Sequence, residues 1–130
     1  MTSAQHLREY VDTLSAEEQY DTNEGHWTFR SGGSCCCCTD AAKKVANAFG
    51  GRVVGYFATD NRPALVGGVH NAGHDFALIA DRFIVDYWAF RVVRLITRPV
   101  LDLNIREDRN LARHLYGNED TWEDVPVAIE

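Results

Sequence analysis

With 130 residues the chain is long enough for one hydrophobic core and too short for two ordinary domains, so residues 1–130 read as a single domain. An apolar fraction of 45% and a charged fraction of 25% are those of a globular protein, and no apolar run approaches the ~20 residues that span a bilayer. The net charge of −6 argues against a nucleic-acid partner held through its phosphates.

The opening stretch, "MTSAQHLREYVDTL", has no basic segment followed by an apolar one and so does not read as a secretory signal. The expectation is a cytoplasmic protein, with export by a signal-free route as the alternative. Within that stretch Leu7, Tyr10, Val11 and Leu14 are spaced as one face of a helix that Ser3 can cap. Ser15 with Glu18 resembles a capping box and predicts a short second helix. Residues Asp21 to Gly33 are polar and glycine-containing, a loop with Trp27 and Phe29 as anchors. Acidic residues gather near both ends and the segment Arg82 to Arg98 is locally basic, which reads as a solvated face.

The clearest element follows. Counted from Cys38, the residues Ala41, Ala42, Val45, Ala46 and Phe49 form one helical stripe that stops at Gly50-Gly51. Because the stripe is mostly alanine, this helix can lie close against its neighbour. "RVVGYF" reads as a strand, followed by the turn-rich "ATDNRPALVGGVHNAG". "HDFALIA" and "FIVDYW" are two more strands, "FRVVRLI" is expected to continue as a third, and "NIREDRNLARHLYG" is a terminal helix closed by Gly117. Helices, a buried helix and then antiparallel strands predict an α+β domain.

All four cysteines lie together in "SGGSCCCCTDAAKK". Zinc needs ligands that converge on one point, whereas adjacent helical residues point about 100° apart. Cys35 and Cys38 do have the C-x2-C spacing, and His70 with His74 would then have to complete the set. A disulfide framework is disfavoured because neighbouring cysteines cannot link distant parts of the chain. A thioredoxin-like C-x2-C lacks a strand leading into it. The remaining reading is a nucleophile: a thiol at a helix N-terminus meets the partial positive charge of unpaired N–H groups, which favours the thiolate.

A nucleophilic cysteine needs a histidine and a group that orients it, and "GHDFALIADRFIVDYW" offers His74 and Asp86. Side chains alternate along a strand, so strand register decides whether the two can meet. A two-residue turn at Asp81-Arg82 would put them on opposite faces. A three-residue connection, Ala80 to Arg82, pairs Ile79 with Phe83 and makes Asp86 the diagonal neighbour of His74 on one face. Asp-Arg suits a type I′ turn poorly, which favours the longer connection. In this arrangement Phe76, Leu78, Ile84 and Trp88 are expected to face the cysteine-bearing helix. Asp86, set in "FIVDYW", needs a partner, since an unpaired buried carboxylate is costly.

A helix headed by Cys38, the strand "RVVGYF", a strand opened by His74 and "RFIVD" together resemble the papain-like superfamily in its short bacterial, transglutaminase-like forms. There "C…A…L…LG", "R-x-V-x-G-Y" and "H-x-W…G-x-x-x-V-D" occur in this order. The resemblance covers roughly residues 33–90 and implies a cysteine-bearing helix packed on a small antiparallel sheet. It implies Cys38 as nucleophile, His74 as base and Asp86 as orienting acid, with Cys35 as second candidate for the nucleophile. It further implies hydrolysis or acyl transfer at an amide bond: proteolysis, peptidoglycan cleavage, or deamidation or transamidation of glutamine, as in bacterial effectors and toxins. The expected partner is a protein or peptide substrate; no cofactor, metal, nucleic acid or membrane is expected. Two departures stand out. Phe76 replaces the family's tryptophan, and no glutamine precedes the cysteine to complete an oxyanion hole, leaving Ser34 or the Cys38 N–H for that task. The rival functions are a non-catalytic binding protein on the same scaffold and a Cys/His metal protein.

Overall fold

Where the sequence offers a cap, the first helix begins: Ser3 Oγ accepts a hydrogen bond from the His6 N–H, and α1 spans Ala4–Ala16 with Leu7, Val11 and Leu14 buried. A computed structural model describes residues 2–35, 37–67 and 73–126. The second helix expected after Ser15 is absent. Ser15 Oγ donates back to the Val11 carbonyl inside α1, and Glu18 opens a hairpin in which β1 (Glu18–Asp21) pairs antiparallel with β2 (His26–Phe29). The Glu18 carboxylate accepts from the Tyr87 hydroxyl and from Arg91, far along the chain, and these partners override the local capping pattern. The expected loop from Asp21 to Gly33 thus carries one arm of a hairpin. Of its two anchors, Phe29 is buried and Trp27 is exposed.

Helix α2 spans Cys38–Phe49 and buries Ala41, Ala42, Val45 and Ala46, the stripe read from the sequence. It ends at Gly50, whose φ of 66° is one that an L side chain rarely adopts. The strands that follow are β3 (Arg52–Phe57), β4 (Gly73–Ile79), β5 (Phe83–Val85), β6 (Val100–Asp102) and β7 (Glu123–Asp124). They form one antiparallel sheet in the order β6-β5-β4-β3-β7. "FRVVRLI" is not the third strand of this run. Asp86 Oδ1 accepts the Ala89 N–H and the Asp86 carbonyl accepts the Phe90 N–H, which coils Trp88–Val92 into a π-helical turn and delays the next strand to Val100. Helix α3 (Arg106–Tyr116) closes at Gly117 as expected.

This mixed α/β fold has a buried layer on each face of its antiparallel sheet. On one face, α1 and α2 pack on Val53, Ala77, Ile79, Phe83 and Val85. On the other, α3 covers Val54, Phe76, Leu78 and Ile84. The expectation that Phe76, Leu78 and Ile84 face the cysteine-bearing helix is therefore reversed. The alanine stripe of α2 fits the flatter side around Ala77, while the bulky aromatic side is filled by Ala112, Leu115 and Tyr116 of α3. Among the described residues no helix is long and apolar enough to cross a membrane.

Candidate active site

The site begins with a turn. Ile79 pairs with Phe83, Leu78 with Ile84 and Ala77 with Val85, so the β4–β5 connection is the three-residue one, Ala80 to Arg82. It is closed by the Arg82 N–H donating to the Ile79 carbonyl at 3.0 Å, with φ of 55° at Ala80 and 52° at Asp81. Carried along the strands, this register sets His74 and Asp86 on one face. His74 Nε2 lies 2.6 Å from Asp86 Oδ2, and their side chains are 1% and 2% exposed.

Two further donors hold the Asp86 carboxylate. The Tyr116 hydroxyl, from the end of α3, donates to Oδ2 at 2.8 Å and the Ala89 N–H donates to Oδ1 at 3.0 Å. The imidazole lies among aromatic rings, with centroids of Trp88 at 5.5 Å, Phe76 at 6.0 Å and Tyr116 at 6.1 Å. Burial disfavours the imidazolium. The charge and hydrogen bond of Asp86, with a smaller contribution from Cys38, outweigh it and raise the His74 pKa to about 10. At neutral pH the ring is a cation.

Cys38 is the first residue of α2 and is half-buried. It is close enough to His74 for its side chain to contribute to the raised pKa of the ring. Asp86 engages Nε2, which leaves Nδ1 as the nitrogen available to a thiol. The height of Cys38 against β4 is set next door, where Thr39 Oγ1 donates to Asp75 Oδ2 at 2.5 Å. Asp75 in turn needs the bare backbone of Gly55 opposite it, because a Cβ there would fall 2.0 Å from Asp75 Oδ1. A cleft of about 310 Å³ opens beside Asp75, lined also by Gly55, Tyr56, Asp60 and Glu123.

The cysteines separate by position. Cys35 precedes the helix and is buried with its sulfur 3.6 Å from the Trp27 carbonyl of β2. Cys37 is exposed at the helix cap, and Cys36 lies outside the described residues. Ser34, weighed as an oxyanion donor, is bridged to Thr28. His70, needed for the metal alternative, lies outside the described residues. Among the described residues no group of three or more His, Cys, Asp or Glu side chains is placed to hold a metal ion.

Sequence reasoning found His74 and Asp86 but missed Tyr116 and the Thr39–Asp75 tie. Tyr116 is separated from Asp86 by 30 residues, and no local pattern joins them. No protein-family model, curated protein or solved structure matches the chain.

Proposed function

We propose that this chain is a small papain-like cysteine hydrolase that acts on an amide bond of a protein or peptide through Cys38, His74 and Asp86. The observation that carries the proposal is the buried His74–Asp86 pair, 2.6 Å apart, set against a cysteine at the N-terminus of α2. A cysteine-headed helix, a strand beginning with the histidine and a next strand leading to the acid also follow the order of parts in that superfamily.

The chemistry follows from charge. Asp86 holds the proton on His74, so the imidazolium is the acid beside the sulfur of Cys38, which is the nucleophile. The N–H groups of the first turn of α2 add positive potential at the sulfur. Cys38 attacks the carbonyl carbon, His74 returns its proton to the leaving amine, and water then releases the acyl group from the thioester. Asp86 fixes which ring nitrogen faces the sulfur and compensates the ring charge throughout.

Iodoacetamide labelling at neutral pH followed by peptide mapping tests the proposal. Cys38 is expected to react far faster than the other cysteines, and His74→Ala should slow it to their rate. Equal, slow labelling of all four cysteines would overturn the reading.

A further inference from the structure

Tyr56 lies directly across from His74 in the β3–β4 register, so the two side chains share a face of the sheet. It is 6% exposed, its ring packs edge-on against Phe76 with centroids 6.3 Å apart, and it lines the cleft beside Asp75. Its hydroxyl is buried and, among the described residues, has no hydrogen-bond partner. A buried hydroxyl without a partner is disfavoured, and one that persists calls for a reason. The chain makes room for it: Gly67, at φ 124°, passes so close that a Cβ would sit 2.9 Å from the ring and 3.3 Å from the hydroxyl.

We infer that the Tyr56 hydroxyl is the side-chain donor of the oxyanion hole, the role for which the sequence offered no glutamine. The inference rests on the cysteine-hydrolase reading. When Cys38 Sγ bonds to the carbonyl carbon, the C=O π pair moves onto oxygen, and the oxyanion takes a hydrogen bond from the Tyr56 O–H. The phenol keeps its proton. Burial first, then the negative charges of Asp86 and Cys38, push its pKa well above the ordinary tyrosine value, so it stays a donor at every pH at which the site works. Collapse of the oxyanion restores the C=O and expels the leaving group, leaving a thioester on Cys38. A donor idle in the free protein and engaged only as charge develops discriminates the transition state from the ground state.

Two reagents separate this role from support of the thiolate. Alkylation by iodoacetamide forms no oxyanion, whereas acetylation by p-nitrophenyl acetate passes through one and expels p-nitrophenolate. Tyr56→Phe is expected to slow acetylation of Cys38 by about 10²-fold or more, with alkylation unchanged within twofold. Cys38→Ala abolishes both at this site. Because the hydroxyl has no hydrogen-bond partner among the described residues, the unfolding midpoint of Tyr56→Phe should equal or exceed that of the wild type. Unchanged acetylation, an equal fall in both reactions, or a variant that unfolds more easily would each overturn the inference. A wild-type Cys38 inert to both reagents would instead overturn the hydrolase reading beneath it.

Discussion

The two faces of the five-stranded sheet are built from different materials. Where the alanine stripe of α2 meets the sheet the interior is small and aliphatic, with Val45 and Ala46 against Val53, Ala77, Ile79 and Val85, and the rings of Phe29, Phe83 and Tyr87 complete that layer. Under α3 it is aromatic and polar, with Tyr56, Phe76 and Tyr116 around the buried His74 and Asp86. The aliphatic side lets α2 sit low on the sheet and so sets where its first residue, Cys38, emerges. The aromatic side excludes water, which strengthens the His74–Asp86 interaction. One face positions the thiol and the other charges the ring beside it. The aliphatic face should tolerate repacking at constant volume, whereas on the polar face each group depends on the others.

The largest expected effect probes that dependence. Asp86→Ala leaves an imidazole, the Tyr116 hydroxyl and the Ala89 N–H without their acceptor. It should destabilise by ~3–5 kcal/mol, the range for breaking a buried charge pair. Ile79→Val, on the aliphatic face, should cost ~0.5–1.5 kcal/mol. Urea denaturation of the two variants measures both, and equal losses would erase the distinction between the faces.

The same pair predicts a pH dependence that the aliphatic face cannot produce. The folded-state pKa of His74, about 10, lies above its ordinary value of 6.5, so the folded protein holds the proton more tightly than the unfolded chain. The stabilisation is fully present below about pH 6.5 and is lost as pH rises through about 10. Denaturation midpoints across that window should fall for the wild type. In Asp86→Asn, which lacks the compensating charge, the decline should flatten.

Two smaller changes divide the site further. Tyr116→Phe removes a hydrogen bond to a buried carboxylate and should cost ~1.5–3 kcal/mol. Thr39→Val removes the hydroxyl that ties α2 to Asp75, at ~1 kcal/mol. It should also slow alkylation of Cys38 relative to Tyr116→Phe, because it frees the helix end that carries the sulfur. Similar labelling rates in the two variants would show that the first turn of α2 needs no such tie.

What could be read in the sequence was what local patterns encode. The alanine stripe with its terminal glycine gave α2, and the period-two parity of the strands with the length of their connection gave the His74–Asp86 pairing. What could not be read depended on distant partners. Glu18 looked like half of a capping box because Tyr87 and Arg91, which claim its carboxylate, are about seventy residues away. "FRVVRLI" alternates like a strand, yet the Asp86 side chain that binds His74 also accepts the Ala89 N–H and coils the chain that follows. The facing of the hairpin was misjudged for a related reason. Both faces of β4 are apolar enough to bury, and only the size of the opposing helix residues decides which one meets α2.

The smallest expected effect tests the turn that assigns residues to the two faces. Ala80 and Asp81 both have positive φ, a conformation that aspartate adopts readily and alanine does not. An L side chain in the left-handed region costs ~1–2 kcal/mol, and glycine avoids that cost but loses ~0.5–1 kcal/mol through its freer unfolded chain. Ala80→Gly should therefore stabilise the protein by roughly 0.5 kcal/mol, the difference between these opposing terms. Ala80→Val, with a branched side chain at the same φ, should destabilise it. Neither change alters the three-residue length of the connection, so the His74–Asp86 pairing and the labelling rate of Cys38 should be untouched while the thermal midpoint moves in opposite directions. If Ala80→Gly instead lowers the midpoint, the turn does not hold alanine in the left-handed region. The register that places His74 beside Asp86 would then have to be fixed by strand packing alone.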